Sequence, residues 1–417
     1  MQHLQEEAVI TSDRIYNRPP DEHGIKKNIK MTSSRLNALA EELKTRAAAN
    51  LYRRRRTVES AQGRMLLIDG RQLINFCSND YLGLAGDERV RNAFAAGVRD
   101  WGAGAGAAHL VCGHTRAHDT LEQALAEFTG CERCLLFSSG YAANMGTLNA
   151  LAGRGDFIFA DRLNHASLID GALLSGARIR RYAHRDLDAL AKQLIAADEE
   201  SRKLIVSDGT FSMDGTVCDV DGLLNAARTH DAWLMLDEAH SLGVTGTAGR
   251  GLTAEVDAED ALILIGTLGK AFGTQGGFVA GSEDLIETLI QTARTYIYST
   301  ALPAAVAVAT QESLAIAQAE QWRRDKLTEL VARFKAGAQQ AGLKLIDSET
   351  PIQPVLLNDE ASALAASAAL EDRGILVTAI RPPTVPRGTS RLRVTVTAAH
   401  TKADIDTLVE ALEAVCI

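Results

Sequence analysis

The sequence predicts an α/β fold in which a sheet carries helices on both faces. Two observations in the middle of the chain favour it: short apolar runs recur, and helical stretches such as 120–128 and 187–195 separate them. This alternation is typical of βαβ units, whose sites lie at the carboxyl ends of the strands. The predicted strands are 135–137, 157–160, 204–206, 233–236, 262–265 and 277–280.

The amino-terminal part of the chain divides into two segments. Residues 1–30 are polar and show no sustained apolar period, so we expect a disordered arm. Residues 31–75 begin with a helix, because apolar residues recur at helical spacing from Leu36 to Leu43. A serine at position 33 or 34 could cap this helix.

The length of 417 residues suits one large and one small domain. The alternation of strands and helices continues as far as Pro303, so we assign residues 76–303 to the large domain. Beyond it, residues 304 to about 340 are helical, and strands then alternate with helices to the end. Residues 304–417 are therefore predicted to form the small domain.

Composition excludes several classes of function. The net charge is −9, which disfavours general binding to nucleic acid or to anionic membranes. Six cysteines are too sparse for a disulfide scaffold in a chain of this length. No apolar run approaches the ~20 residues of a membrane helix, and the first residues lack the basic and apolar regions of a signal peptide. We therefore expect a cytoplasmic protein without nucleic-acid or membrane partners.

Lys270 lies in a loop of small residues that follows a predicted strand. A lysine in such a position can reach into a cleft, have a lowered pKa and form a Schiff base. The alternative is a flexible surface turn. A phosphate-binding P-loop is excluded, because its G-x-x-x-x-G-K-[ST] spacing would need Gly at 264 and Ser or Thr at 271, where the chain has Leu and Ala.

Residues 237–240, Asp-Glu-Ala-His, follow another predicted strand. Their letters match the acidic box of DEAH-type helicases, but no phosphate loop precedes them and the chain is acidic, so this reading is disfavoured. A carboxylate at a strand end can instead hold a protonated pyridine nitrogen, which makes the ring an electron sink. His240 could then reach the phenolic oxygen of the same cofactor. The remaining alternative is a buried aspartate that only holds a loop.

Three more segments follow predicted strands. The turn at 138–144 opens a helix, so its backbone N–H groups and the helix dipole could hold a cofactor phosphate; a plain helix cap is the alternative. His165 could stack on an aromatic cofactor ring, although a lone histidine is usually structural. The segment 211–215 supplies the hydroxyl of Ser212.

Two groups of residues raise the question of a metal site. They are His109, Cys112, His114 and His118, and the pair Cys131 and Cys134. Neither group has a matching second pair at zinc-site spacing. We therefore predict structural roles for both groups and no metal site.

Taken in order, six segments resemble the α-oxoamine synthases, a branch of the fold-type I enzymes that use pyridoxal 5'-phosphate (PLP). The segments are 75–84, 139–144, 161–167, 211–215, 237–240 and 267–270. The resemblance runs from about Met31 to the end of the chain. It implies a large domain with a mostly parallel seven-stranded sheet between helices, a smaller α/β C-terminal domain, PLP as the cofactor and a homodimer.

Within that family, residues 378–386 and 391–393 look most like the members that act in biotin biosynthesis. Those members join L-alanine to a pimeloyl thioester, carried by CoA or by an acyl carrier protein, with loss of carbon dioxide. A sister enzyme that uses glycine with acetyl-CoA or succinyl-CoA is the nearest alternative. A catalytically silent PLP-binding protein is another, against which the presence of Lys270, Asp237 and His165 argues.

The resemblance also implies roles for individual residues. Lys270 would hold the cofactor and move a proton at the amino-acid Cα, Asp237 would pair with the pyridine nitrogen, and His165 would stack on the ring. The other implied cofactor contacts are Gly140, Tyr141, Ser212, His240 and Thr267. The implied substrate contacts are Arg53, Asn79, Thr384 and Arg393, of which Arg53 is placed within the run Arg53–Arg56 that would serve the acyl substrate.

Overall fold

The computed structural model describes residues 34–256, 262–357 and 359–417. The chain separates into two compact units, residues 1–52 and 53–417. The predicted arm, residues 1–30, lies outside the described residues. In the first unit the predicted helix is confirmed as Ser34–Ala48. The predicted division of the second unit at residue 303 stays a prediction. Within the described ranges, no helix is both long and apolar enough to cross a membrane.

Thirteen α-helices and thirteen strands are found in the described part of the chain. The helices are α1 Ser34–Ala48, α2 Glu88–Trp101, α3 Arg116–Thr129, α4 Gly140–Leu151, α5 Ala166–Ser175, α6 Leu187–Ile195, α7 Val220–Thr229, α8 Glu283–Thr292, α9 Arg294–Ile297, α10 Ala304–Ala319, α11 Gln321–Gln340, α12 Glu360–Asp372 and α13 Lys402–Cys416. The strands are β1 Met65–Ile68, β2 Arg71–Asn75, β3 Arg133–Phe137, β4 Phe157–Asp161, β5 Arg178–Tyr182, β6 Lys203–Asp208, β7 Ala232–Asp237, β8 Leu262–Thr267, β9 Gly277–Gly281, β10 Ile352–Leu356, β11 Ile375–Leu376, β12 Thr378–Ile380 and β13 Arg391–Thr395.

The largest sheet has seven strands in the order β3-β9-β8-β7-β6-β4-β5. Neighbours from β8 to β5 are parallel, whereas β9 is antiparallel to both β3 and β8. The central strands β4, β6 and β7 are almost wholly buried, as expected for parallel strands covered on both faces. This confirms the predicted mostly parallel sheet and all six strands predicted from apolar runs.

Strand β5 was missed by the apolar-run analysis. Its sequence is Arg-Ile-Arg-Arg-Tyr, which is too basic to give an apolar run. β5 is an edge strand, so it pairs only with β4. The guanidinium of Arg180 lies 4.5 Å from the centre of the Phe157 ring, and its Nη1 donates to the carbonyl of Gln193 at 2.7 Å. The arginine thereby packs its side chain against the sheet while its charge is satisfied by the carbonyl.

Alternate side chains of the central strands pack on different helices, because successive residues of a strand point to opposite faces. On one face Val206 and Met235 belong to a buried cluster that includes side chains of α4, α5 and α8. On the other face Phe159, Ile205 and Leu234 pack with residues of α6 and α7. The sheet is therefore covered by helices on both sides, and its polar groups concentrate at the strand ends.

Two smaller sheets have three strands each, in the orders β1-β2-β11 and β10-β13-β12. In the second sheet, β13 is central and antiparallel to both neighbours. All five residues of β13 are buried, including Arg391 and Arg393. Buried arginines in a central strand need partners for their charge. The loop after β6 supplies several of them, because Ser212 accepts from Arg393, and Met213 and Asp214 accept from Arg391.

Candidate active site

The predicted site residues follow five strands of the large sheet. The turn at Ser139 follows β3, His165 follows β4, Ser212 follows β6, Asp237 ends β7 and Thr267 ends β8. Since these five strands are mutually parallel in the sheet, their carboxyl ends share one edge, where open α/β sheets bind ligands. Lys270 lies in the loop directly beyond β8.

Lys270 lies among two carboxylates and a guanidinium. Burial lowers the pKa of the Lys270 amine to about 8, although the negative charges of Asp237 and Asp208 oppose the shift; Arg393 adds to it. An amine with such a pKa is partly neutral near pH 7, so it can attack a carbonyl carbon or accept a proton. The carboxylates keep the ammonium form accessible for returning that proton.

The carboxylate of Asp237 is held by two hydrogen bonds. Its Oδ1 accepts from the backbone N–H of Ala239 at 2.9 Å, and its Oδ2 accepts from the side-chain amide of Asn144 at 2.7 Å. Asn144 lies on α4 and its amide also donates to Ser167 Oγ at 2.8 Å. Asp237 is 6% exposed. A buried carboxylate fixed in this way can pair with a cationic ligand group in one orientation.

Asp208 is a second buried carboxylate that the sequence analysis missed. It ends β6 and is paired in register with Asp237 at the end of β7. Its Oδ2 accepts from the backbone N–H of His165 at 2.7 Å. Burial raises the pKa of Asp208 well above its usual range, and the nearby charge of Asp237 adds to that. The sequence could have indicated Asp208, because an aspartate ends each of the neighbouring strands β6 and β7.

His165 is the N-cap residue of α5. Its Nδ1 lies 2.7 Å from Ser167 Oγ, which connects the ring through Ser167 to Asn144 and so to Asp237. Burial lowers the pKa of His165, whereas the charge of Asp237 opposes the shift. The Tyr141 ring is edge-on to the His165 ring, with their centres 6.4 Å apart. His165, Tyr141 and Asp237 are thus brought to one place.

A chain of polar contacts joins His240 to Arg393. His240 Nδ1 lies 2.6 Å from the hydroxyl of Tyr81, and that hydroxyl lies 3.4 Å from Asn79 Oδ1. Asn79 Oδ1 also accepts from Arg393 Nη2 at 3.1 Å, and Arg393 Nε donates to the carbonyl of Ser212 at 2.6 Å. Four predicted site residues therefore meet here. Tyr81 lies in the segment 75–84 and was given no role in the sequence analysis, although its hydroxyl joins His240 to Asn79.

The ionisable groups of this chain of contacts are strongly desolvated. Burial lowers the pKa of His240 well below its usual value, and the positive charges of Lys270 and Arg393 add to the effect. Burial raises the pKa of Tyr81 to about 12. Tyr81 therefore stays a hydroxyl that can donate, and His240 stays neutral. Arg393 brings a fixed positive charge into this part of the site.

The turn after β3 opens helix α4. Ser139 Oγ caps the helix by accepting from the backbone N–H of Ala142 at 3.1 Å. The start of the helix packs tightly on strand β9, because a Cβ added at Gly277 would lie 2.4 Å from the nitrogen of Gly140. Thr267 lies beside the turn, since a Cβ added at Gly140 would be 3.6 Å from Thr267 Cβ. Gly140, Tyr141 and Thr267 are thus grouped at a helix N-terminus, where anions bind.

The remaining two predicted residues form a second group. Arg53 Nη2 donates to Thr384 Oγ1 at 3.4 Å, although the two residues are 331 positions apart in the chain. Both residues are exposed. Within the same arginine run, Arg56 is paired with Asp69 at 2.8 Å and with Glu371. The structure therefore distinguishes Arg53, which contacts another predicted substrate residue, from Arg56, which forms ion pairs within the protein.

Comparison with known proteins identifies the family. The family described as aminotransferase class I and II matches residues 71–412. The 8-amino-7-oxononanoate synthase of Nitrosococcus oceani is 58% identical over 373 residues, which is 89% of this chain and 99% of that protein. The protein of the same name from Thioalkalivibrio sulfidiphilus is 55% identical over 377 residues, covering 90% of this chain and 96% of that one. The chain belongs to the aminotransferase class I and II family, in its α-oxoamine synthase branch.

Solved structures agree with this assignment. The serine palmitoyltransferase of Sphingomonas wittichii superposes with a TM-score of 0.87 at 30% identity, covering 92% of this chain and 97% of that one. The 8-amino-7-oxononanoate synthase of Francisella tularensis gives a TM-score of 0.71 at 31% identity, with 82% and 97% covered. A structure titled as the serine palmitoyltransferase of S. paucimobilis with a PLP–myriocin aldimine gives 0.86 at 29% identity, with 92% and 97% covered. The fold predicted for an α-oxoamine synthase is therefore confirmed.

Proposed function

We propose that this α-oxoamine synthase is a PLP-dependent 8-amino-7-oxononanoate synthase. It condenses L-alanine with a pimeloyl thioester of CoA or acyl carrier protein, and it releases 8-amino-7-oxononanoate, carbon dioxide and the free thiol in biotin biosynthesis. One observation carries the proposal: the amine of Lys270, the carboxylate of Asp237 and the guanidinium of Arg393 interact in one buried site. The 58% identity to a relative of that name supports the choice of reaction.

The donor set fits PLP group by group. Asp237, held by Asn144 and Ala239, suits a protonated pyridine nitrogen, and Lys270 supplies the amine that an aldehyde requires. The turn that begins α4 suits the phosphate, with Gly140, Tyr141 and Thr267 as its contacts. His240 and Ser212 would contact the phenolic oxygen of PLP. PLP supplies an electron sink that lowers the energy of removing the amino-acid Cα proton or carboxylate.

Lys270 carries the proton chemistry of the reaction. With PLP and the amino acid bound, the free amine of Lys270 would take a proton from Cα and would return one after the carbon dioxide has left. The pKa of about 8 places it near the operating pH, where a base and its conjugate acid are both present. Asp237 would keep the pyridine nitrogen of bound PLP protonated, because a fixed carboxylate stabilises the cation.

Arg393 holds the carboxylate of alanine. It is 7% exposed, and Asn79 and Ser212 orient the guanidinium through the hydrogen bonds described above. A guanidinium binds a carboxylate through two parallel hydrogen bonds, which fixes the orientation of the amino acid about Cα. His165 would stack on the cofactor ring and would donate a hydrogen bond to the charge that develops as the carboxyl group is lost.

Arg53, Thr384 and Asn79 bind substrate, and the first two serve the acyl thioester. Their exposure places them where a large acyl carrier can approach. The arginine run attracts the carboxylate of the pimeloyl group, the phosphates of CoA or an acidic carrier protein. We further propose that the enzyme acts in the cytoplasm as a homodimer, without nucleic-acid or membrane partners.

A product assay tests the reaction. The purified enzyme is mixed with PLP, with L-alanine or glycine, and with pimeloyl-, acetyl- or succinyl-CoA, and the products are weighed by mass spectrometry. We expect 8-amino-7-oxononanoate from alanine and pimeloyl-CoA at the highest kcat/KM. Repeating the assay with pimeloyl-acyl carrier protein ranks the two acyl donors. Faster turnover of glycine with acetyl- or succinyl-CoA would assign the chain to a sister synthase instead.

A further inference from the structure

A group of potential metal ligands lies on α3, outside the site described above. One donor atom each from His114, Asp119 and Glu122 lies within 4.8 Å of the other two. His114 Nε2 is 2.8 Å from Asp119 Oδ1 and 3.9 Å from Glu122 Oε2. Asp119 and Glu122 are three positions apart on the helix, so they share a face, and His114 comes from the loop just before it.

In His114 and Glu122, the side-chain atom that does not face the cluster is already held by another group of the protein. His114 Nδ1 lies 2.8 Å from His109 Nδ1, so the ring presents Nε2 to the two carboxylates. Glu122 Oε1 accepts from the backbone N–H of Leu136 at 2.9 Å, which turns Oε2 towards His114. Hydrogen bonds of this kind orient the ligands in metal sites. Here such contacts hold both the imidazole of His114 and the carboxylate of Glu122.

This set differs from the one that the sequence pattern offered. His118 is used elsewhere: its Nδ1 accepts from the backbone N–H of Thr115 at 3.0 Å, and its Nε2 lies 2.6 Å from the carbonyl of Leu302. His109 is stacked on the Tyr296 ring with centres 4.9 Å apart, and Cys112 is exposed. Among the four residues considered from sequence, the structure therefore leaves His114 as the one that faces carboxylates.

In the part of the chain that the structure describes, Asp119 and Glu122 form ion pairs with His114, which is charged only when it is protonated. Glu122 is 15% exposed, and its charge is costly to bury without a cation. Arg133, the arginine that acts on its charge, forms ion pairs with Glu283 at 2.5 Å and with Glu287 at 3.6 Å. A divalent cation between His114 and the two carboxylates would compensate the two negative charges directly.

We propose that His114, Asp119 and Glu122 bind a Zn²⁺ ion that joins the loop before α3 to the helix. Imidazole with carboxylates suits zinc, whereas Mg²⁺ and Ca²⁺ prefer sites made only of oxygen. Donors bound tetrahedrally to zinc are roughly 3.4 Å apart, given bonds of about 2.0–2.2 Å. The observed separations of 2.8 and 3.9 Å lie on either side of that value. Water would complete the coordination.

The ion would stabilise the segment that presents two exposed apolar side chains. The loop contains a π-helical turn at His109–Gly113, in which Leu110 is 54% exposed and Val111 is 77% exposed. A metal bond to His114 fixes the end of this turn against α3. Because the ion binds the folded protein and not the unfolded chain, it also raises the melting temperature. The site takes no part in the proposed reaction, so the two proposals can fail separately.

The test measures Zn²⁺ binding to chelator-treated, PLP-loaded protein by equilibrium dialysis with metal analysis. We expect one Zn²⁺ per chain, a higher melting temperature with Zn²⁺ than with Mg²⁺, and an unchanged visible spectrum of the bound cofactor. Asp119→Asn and His114→Gln should each weaken binding at least ~10-fold. His230→Ala and Cys112→Ser are matched controls that should bind zinc as the unchanged protein does.

Two results would overturn the proposal. One is the absence of stoichiometric Zn²⁺ binding to the unchanged protein. The other is zinc binding by Asp119→Asn and His114→Gln with unaltered affinity, which would place the ion elsewhere. Asp119 is an exposed side chain, so Asp119→Asn should fold normally and decide the matter even if a change at His114 disturbs the protein.

Discussion

The site at the strand ends and the run Arg53–Arg56 differ in the exposure and the hydrogen bonding of their charged side chains. At the strand ends, Asp237 and Arg393 are less than a tenth exposed and each accepts or donates at least two hydrogen bonds. In the run, Arg53 is exposed and its contact to Thr384 is long, at 3.4 Å. Charges in the first region interact through a poorly solvated interior, and charges in the second are screened by water and salt.

Buried and fixed charges can control a chemical step, whereas exposed charges cannot. In the buried region, desolvation lowers the pKa of Lys270 to about 8, and desolvation together with nearby positive charges lowers the pKa of His240 and keeps it neutral. Such control needs fixed groups, so single changes there should have large effects. An exposed arginine can attract a carboxylate or phosphate without fixing it, so changes there should alter affinity and leave the chemical step alone.

The largest expected effect comes from Lys270→Ala. It removes the amine that holds the cofactor and moves the Cα proton, so turnover should be abolished. Borohydride reduction of the PLP-loaded protein followed by peptide mapping should label Lys270 in the unchanged chain, and the variant should lose that label. Lys192→Ala, a change at an exposed lysine, serves as the control. A label on any other lysine would remove Lys270 from its proposed role.

Asp237→Asn should leave PLP bound but reduce kcat by at least ~100-fold, because an amide cannot stabilise the protonated pyridine nitrogen. The measurement is steady-state kcat beside the visible spectrum of the bound cofactor. Asp221→Asn, a change at an exposed aspartate on α7, should keep normal activity. Nearly normal activity in Asp237→Asn would show that the buried carboxylate only holds its loop.

The pH dependence of PLP uptake sharpens the contrast between buried and exposed lysines. A lowered pKa means that the neutral amine becomes the main form above about pH 8, and only roughly a tenth is neutral at pH 7. The rate at which cofactor-free protein takes up PLP at Lys270 should therefore rise with pH and level off above about 8. A rate that keeps rising towards pH 10 would indicate an ordinary, solvated amine.

The smallest expected effect is that of Arg53→Ala. It should raise the KM for the pimeloyl thioester about 2- to 5-fold, because exposed ionic contacts contribute little each. The cofactor spectrum and the KM for alanine should stay unchanged, and added salt should reduce the difference between variant and unchanged enzyme. Arg55→Ala provides the neighbouring control. If Arg55→Ala shows the larger effect, the substrate arginine has been placed at the wrong position of the run.

Local patterns were sufficient for most of the large sheet but not for its edge. Continuous apolar runs revealed the strands that are buried on both faces. The arginine-rich strand β5 was not predicted, because Arg180 packs on Phe157 and donates to the carbonyl of Gln193, and both partners lie outside the strand. In the site, Lys270, Asp237 and His165 became candidates because each follows a strand and all parallel strands end at one edge. The resemblance to the α-oxoamine synthases then implied their roles.

The α/β fold, the family and the residues that meet at the strand ends could be predicted from sequence, because each of them depends on local pattern or on ordered motifs. The groups that support those residues became apparent from the folded chain. Asp208 beside Asp237 and Tyr81 between His240 and Asn79 are fixed by strand register and by long-range packing. Electrostatic shifts depend on distances between segments far apart in the chain, and no spacing within one segment encodes those distances.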